Sequence, residues 1–225
     1  MGIKFRSLLH QYPRAPVVQL TPKIMQSPLS NIPYPTIDLT TLRQHLLDLL
    51  CQLAYKEGDF TLSSGQKSTY YINGKQVTLH PEGAVATARI LLSMLPEDTD
   101  AVAGLTLGAD PIVSSVSVVS VYEGKSIPAL IIRKEAKGHG TQAYIEGATL
   151  KPGAKVVVLE DVVTTGQSAM KAVERLRAAG YVVDRVLTLV DREQGGAEFY
   201  AAQNLHFETV FTIRDLQARY RELGL

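Results

Sequence analysis

"KVVVLEDVVTTGQSAM", residues 155–170, is the stretch from which the fold of this chain is read. Val156 to Leu159 is an unbroken apolar, Val-rich run of the kind found in strands buried on both faces. Two carboxylates, Glu160 and Asp161, follow, and Val162, Val163, Thr164, Thr165 and Gly166 then lead into a helix opened by Gln167 and Ser168. Gly166 permits a tight turn, the first N–H groups of the helix lack intrahelical acceptors, and Thr164, Thr165 and Ser168 add hydroxyl donors. Such a turn is an anion cradle. The helix continues with Ala169, Ala172, Val173, Leu176 and Ala179 on one stripe and stops at Gly180, which seats its first turn against the sheet. Acids beside the cradle would repel a bare phosphate, yet they would accept hydrogen bonds from sugar hydroxyls or hold a hydrated Mg²⁺ through water. A ribose phosphate satisfies both halves. Side chains alternate across a strand, so one carboxylate rather than both would touch such a ligand. An ordinary strand end followed by a capped helix is the competing reading of the same spacing.

Outward from this stretch the pattern repeats. "AVAGLT" at 101–106, "IPALIIR" at 127–133 and "VVDRVLTLVD" at 182–191 read as strands, and "DPIVSSVSVVSVY" at 110–122 reads as a helix between the first two. Near-continuous Val/Ile/Leu strands alternating with helices predict a mostly parallel central sheet covered on both faces, an α/β fold. Residues 38–54 place Leu42, Leu46, Leu49, Leu50 and Leu53 at helical spacing, 83–95 form a second apolar-faced helix, and 59–74 have the alternation of a hairpin. Residues 195–225 predict a short helix, a strand "HFETVFTI" and a final helix "RDLQARYREL". Ligands of open α/β sheets bind beyond the carboxyl ends of the strands, which draws attention to the loops after Arg133, Leu159 and Val190.

Composition limits the partners. The chain has 225 residues, 45% of them hydrophobic, and a formal net charge of +1, which gives no general attraction for nucleic acid or membrane. No apolar run approaches the roughly 18 residues of a membrane span. Cys51 is the only cysteine, so no intrachain disulfide forms, and a reducing, cytoplasmic setting is the simplest one. Residues 1–36 carry Lys4, Arg6, Arg14 and Lys23, no acid, and six of the eleven prolines, and they read as an extended or disordered basic arm ahead of a domain spanning 37–225.

Other phosphate and catalytic motifs fail on context. "GKS" at 124–126 has Val119 where a Walker A loop needs glycine, and "GHGTQA" at 138–143 follows polar "RKEAK" rather than a strand. No paired Cys/His spacing marks a zinc site, and no G-x-S-x-G elbow marks a serine hydrolase.

The 155–170 stretch resembles the signature of the type I phosphoribosyltransferases: apolar strand, two acids, Thr/Gly-rich loop, helix. Two further segments narrow the resemblance to the orotate phosphoribosyltransferase family. "IIRKEAKGHGTQAYIEG", residues 131–147, is similar to its catalytic loop, and "LVDREQGG", 189–196, is similar to its orotate-side loop. "FTLSSGQKSTYYING", 60–74, fits its N-terminal substrate segment, and the likeness as a whole covers about residues 38–220. The resemblance implies a central, mostly parallel sheet flanked by helices, with a small hood from the N- and C-terminal segments. It implies transfer of phosphoribose from 5-phospho-α-D-ribosyl 1-pyrophosphate (PRPP) to orotate, with Mg²⁺, in pyrimidine synthesis. It also implies a homodimer in which the catalytic loop reaches the neighbouring subunit. A purine-base phosphoribosyltransferase would share the cradle, and a non-catalytic PRPP-responsive regulator would retain it, but neither has an evident use for the 131–147 and 189–196 segments.

The residues themselves are compatible with these roles. Arg133, Lys134, Lys137 and His139 gather four potential cations in seven positions, with glycines around the histidine, an arrangement that attracts anions. A solvated basic loop is the plainer reading of such a run. If PRPP is bound, Lys137, His139 and Lys134 are the catalytic candidates, aimed at the departing pyrophosphate. Arg133 joins Glu160, Asp161 and residues 162–168 as the PRPP-binding set. Arg192 has the planar fork that suits the carboxylate of orotate, unless it belongs to a local Asp-Arg-Glu cluster. Thr165, Lys67 and Tyr71 complete the orotate-side candidates, Tyr71 as a stacking ring. "AGLTLGADP", 103–111, resembles the loop that receives pyrophosphate through backbone amides. One branch of the family has lysine where Ser63 and Gly108 stand, so no lysine contact is expected at those two places.

Overall fold

The carboxylate of Asp38 accepts the Thr41 amide at 2.9 Å and thereby caps α1 (Leu39–Leu49). The computed structural model describes residues 36–61, 65, 67–136 and 144–225, and Ile37–Leu225 is one compact unit. The arm predicted for residues 1–36 lies outside the described residues except for Thr36. α1 buries Leu42, Leu46 and Leu49 and runs on as a π-helical turn, Leu50–Ala54. An antiparallel hairpin follows, β1 (Tyr55–Thr61) and β2 (Lys67–Ile72), with a register break between Glu57 and Phe60. Next come α2 (Lys75–Thr78) and α3 (Pro81–Met94).

The alternating region then builds the sheet from β3 (Ala101–Leu105), α4 (Asp110–Tyr122), β4 (Ala129–Ile132), β5 (Ile145–Gly147), β6 (Val156–Val163), α5 (Gln167–Ala178), β7 (Arg185–Asp191), α6 (Gly196–Ala202) and β8 (His206–Thr212). The strand order is β5-β4-β3-β6-β7-β8, with every neighbouring pair parallel except β4 and β5. The predicted central sheet is therefore present, with one short antiparallel edge strand added. Two points differ from the sequence reading. β6 does not stop at the acids: its pairing with β7 continues from Glu160↔Thr188 to Val163↔Asp191, so the carboxylates are held on a paired strand rather than a loop. β5 was not predicted, because three residues carry no measurable periodicity.

α5 packs Ala169, Ala172, Val173 and Leu176 into a core with Leu105, Leu130, Ile132, Val156 and Val158. Each large aliphatic side chain buried there contributes about 1.5–3 kcal/mol. α7 (Ile213–Glu222) packs against α1. There Arg219 Nε and Nη2 bond the two oxygens of Asp48 at 2.7 and 3.2 Å, the Tyr55 and Tyr220 rings meet edge-on at 5.0 Å, and the thiol of buried Cys51 lies 3.5 Å from the Leu216 carbonyl. Among the described residues no helix is long and apolar enough to cross a membrane.

Candidate active site

The turn between β6 and α5 depends on Gly166, which sits at φ +85°. A Cβ at this position would lie 2.8 Å from Phe199 Cδ1 and 2.9 Å from Tyr200 Cζ, so both backbone conformation and neighbours exclude a side chain. Tyr200, fully buried, donates its hydroxyl to the Gly166 carbonyl at 3.1 Å. α6 reaches this close because Gly196 has no side chain: a Cβ there would fall 2.5 Å from Val163 Cγ1. No side chain caps the start of α5, which leaves its first amides available to a ligand. A half-open cavity of about 90 Å³ is lined by Glu160, residues 162–169 and Tyr200. Of the PRPP-binding set read from the sequence, only Arg133 and Asp161 fall outside this lining. The share of Tyr200 was not legible, because α6 approaches from elsewhere in the chain.

The two acids face different spaces. Glu160 is only 6% exposed, and its Oε2 has no hydrogen-bond partner. Burial, then the adjacent Asp161 charge, pushes its carboxyl well above the usual range, while the Lys134 charge acts the other way. Asp161 Oδ1 accepts the Val162 amide at 3.0 Å. Its carboxylate lies in a slot between two glycines: a Cβ on Gly108 would come 2.7 Å from Oδ1, and one on Gly74 would come 3.2 Å from Oδ2. The absence of a side chain at 108 is thus matched by the position of Asp161, and a lysine there would require that carboxylate to move. Beside it Thr106 Oγ1 donates to Asp110 Oδ2 at 2.8 Å, in the loop that leaves β3. Among the described residues no group of three or more His, Cys, Asp or Glu side chains is placed to hold a metal ion. A buried carboxylate oxygen without a partner, next to a second acid, fits an ion held mainly by a diphosphate and touched through water.

Arg192 is held by Tyr70. Its backbone N–H bonds the Val163 carbonyl at 2.9 Å, its Cζ lies 4.8 Å from the Tyr70 ring centre, and its Nε donates to the Tyr70 hydroxyl at 3.2 Å. Gln194 Nε2 donates to the same hydroxyl at 3.3 Å. The local ion cluster does not form: Asp191 Oδ1 accepts the Glu193 amide at 2.9 Å, Glu193 pairs with Arg214 at 2.8 Å, and Arg192 has no carboxylate partner among the described residues. Lys67 and Tyr71 stand on the opposite face of β2 from Tyr70, by strand alternation. Lys67 Nζ donates to Thr61 Oγ1 at 2.9 Å, and exposed Tyr71 meets the Phe60 ring at 5.7 Å. Tyr70 was missed because a Tyr-Tyr pair does not declare which ring faces the sheet.

Arg133 Nη1 pairs with Glu146 Oε1 on β5 at 3.1 Å, and its amide bonds the Tyr144 carbonyl at 2.8 Å. Lys134 is exposed just beyond. Lys137 and His139, as well as Ser63, lie outside the described residues.

No family model matches the chain. It is 79% identical over 189 residues to the orotate phosphoribosyltransferase of Nostoc sp., a match covering 84% of this chain and 92% of that protein. It is 69% identical over 187 residues to the orotate phosphoribosyltransferase of Synechocystis sp., covering 83% of this chain and 94% of that protein. The crystal structure of Mycobacterium tuberculosis orotate phosphoribosyltransferase in complex with PRPP superposes with a TM-score of 0.67 at 33% identity, covering 78% of this chain and 99% of that one. A cradle built on Gly166, an acid pair at its rim and an arginine on a neighbouring strand end thus occur in a chain that matches these relatives over nearly their whole length. The chain belongs to the orotate phosphoribosyltransferase family.

Proposed function

We propose that residues 160–168 bind the ribose 5-phosphate half of PRPP while Arg192 binds orotate, in the transfer that gives orotidine 5′-monophosphate and pyrophosphate for pyrimidine synthesis. The observation that carries this assignment is the cavity between Glu160, the uncapped start of α5 and Gly166. The PRPP complex of the M. tuberculosis relative supports the choice of ligand. The amides and hydroxyls of Thr164, Thr165, Gly166, Gln167 and Ser168 receive the 5-phosphate, and Glu160 and Asp161 accept the ribose hydroxyls. The Arg192 fork takes the orotate carboxylate, with Thr165 also on the orotate side; Lys67 and Tyr71, on the face of β2 away from Tyr70, are not placed beside Arg192. Orotate N1 gives up its proton to solvent and donates an electron pair to C1′, the bond from C1′ to the pyrophosphate oxygen breaks with inversion, and the pair leaves on pyrophosphate. Arg133, Lys134, Lys137 and His139 offset the charge that develops on those oxygens. Mg²⁺, held by PRPP oxygens and touched through water by Glu160 or Asp161, supplies further neutralisation of the leaving group when bound.

Two broader expectations belong to the same proposal. The enzyme acts as a homodimer whose catalytic loop is shared, a reading supported by the exposed Val118, Val121 and Tyr122 along α4. It works in the cytoplasm, consistent with a single reduced cysteine. Light scattering after size exclusion tests the first: a monomer at assay concentration removes it. The activity test is orotate absorbance followed with and without PRPP. Loss of orotate only in the presence of PRPP, with release of pyrophosphate, is the expected result, and no loss in either case overturns the assignment. Lys137→Ala lowers kcat by roughly 10²–10³ with little change in PRPP binding, and unchanged turnover removes Lys137 from its role.

A further inference from the structure

Arg175, on the third turn of α5, takes no part in the roles assigned above. Its Nη1 donates to the Arg133 carbonyl, its Nη2 donates to the Lys134 carbonyl at 2.9 Å, and its Cζ stands 4.1 Å from the centre of the Tyr144 ring. Arg133 and Lys134 follow β4, and Tyr144 immediately precedes β5. One guanidinium therefore touches both ends of the connection between two antiparallel strands. Among the described residues those ends are also joined to each other by the Arg133 amide to the Tyr144 carbonyl, by the Arg133–Glu146 ion pair and by a three-residue edge strand. The geometry needs an arginine: two adjacent carbonyls require two donors in a fixed fork, and an aromatic face takes a planar cation. A lysine ammonium cannot present both at once. Arg175 lies eight residues beyond Gln167 on the helix whose first turn forms the cradle, about 12 Å along its axis. Rigid helix thus connects the phosphate end of the site to the basic stem, and Lys134 on that stem is near enough for its charge to act on Glu160.

We propose that Arg175 is a positioning residue that clamps the 133–134 and 144 stems to α5, and so fixes the placement of Arg133 and Lys134 relative to the phosphate cradle. The catalytic consequence rests on the assignment of those two cations to the leaving pyrophosphate. The clamp itself rests only on the geometry.

The test compares Arg175→Met, Arg175→Lys and Tyr144→Leu with the parent enzyme, by steady-state kinetics, thermal melting and mass-mapped trypsin cleavage after Arg133 and Lys134. Arg175→Met should lower kcat by about tenfold to a hundredfold, the scale at which misplacement of a reacting group is felt. KM for orotate should stay within about threefold of the parent value, because Arg192 and Thr165 are untouched, whereas any rise in the KM for PRPP, through Arg133, should come with faster cleavage. Cleavage after Lys134 should accelerate several-fold in all three variants, with Tyr144→Leu showing the smaller effect and Arg175→Lys an intermediate kcat. Parent-like kcat together with parent-like cleavage in Arg175→Met overturns the proposal. So does a rise in the KM for PRPP without faster cleavage, since Arg175 would then act through the cradle. If Arg175→Met does not fold, Arg175→Lys and Tyr144→Leu decide by the same readouts. If the parent enzyme consumes no orotate, the reaction assignment fails, while the cleavage comparison still accepts or rejects the clamp.

Discussion

Replacing Gly166 by alanine tests the cradle at its narrowest point. Two separable penalties apply. At φ +85° an L-residue costs about 1–2 kcal/mol. The new methyl also collides with Phe199 and Tyr200, at 2.8 and 2.9 Å. Tyr200 is fully buried, so relief requires movement of packed rings, an overpacking cost of about 1–3 kcal/mol. The sum, about 2–5 kcal/mol, is a large part of the stability of a typical domain and corresponds to a fall in Tm of about 4–20 °C. If the turn yields instead of the rings, the amides at the start of α5 lose their alignment. Loss of one charged hydrogen bond to phosphate, worth about 1.5–3 kcal/mol, weakens PRPP binding by about 10- to 150-fold. Gly153→Ala is the matched control, since Gly153 has φ +78° but nothing within 4 Å of the added carbon. Thermal melting and calorimetric titration with PRPP should show the strain penalty alone in Gly153→Ala, and the larger loss of stability together with weakened PRPP binding in Gly166→Ala. Equal Tm and equal PRPP affinity in the two variants would refute the reasoning.

Tyr200→Phe keeps the ring but removes the donor to the Gly166 carbonyl, costing about 1–3 kcal/mol of stability and raising the KM for PRPP more than that for orotate; equal changes in both would count against it. Glu160 has its carboxyl held above the ordinary range by burial, so the folded chain keeps a proton that the unfolded chain releases. Stability contributed by this group therefore falls as pH rises from the ordinary value near 4.3 through the raised one. Glu160→Gln should remove that slope, melting higher than the parent above the raised value and alike near pH 4, while lowering turnover; melting curves with the same slope in both proteins would contradict this. Arg192→Lys loses the fork that Tyr70 orients, and the KM for orotate should rise about 10- to 100-fold with PRPP binding unchanged. A comparable loss of PRPP affinity would move Arg192 away from the base.

The sheet was legible because its strands are buried on both faces and so are written as continuous Val/Ile/Leu runs; α4 even begins and ends at the residues read from the sequence, Asp110 and Tyr122. The cradle was legible for a related reason: Gly166, the hydroxyls and the acids are consecutive, so local geometry alone assembles them. What was hidden is what distant segments bring. The break in β1 between Glu57 and Phe60 helps set the hairpin register, and the fold turns Tyr70 rather than Tyr71 toward Arg192. Tyr200 reaches Gly166 only because Gly196 lets α6 lie against Val163. Arg175 reads as one more charge on the polar side of an amphipathic helix until β4 and β5 deliver their carbonyls and ring to it.

The central claim is that the turn after Asp161 holds the 5-phosphate of PRPP. A crystal structure of this enzyme with PRPP and Mg²⁺ tests it most directly. The account predicts phosphate oxygens about 2.7–3.2 Å from amide nitrogens of residues 164–168, with the ribose hydroxyls turned toward Glu160 and Asp161. PRPP bound elsewhere, with this cavity empty or filled by protein side chains, would contradict it.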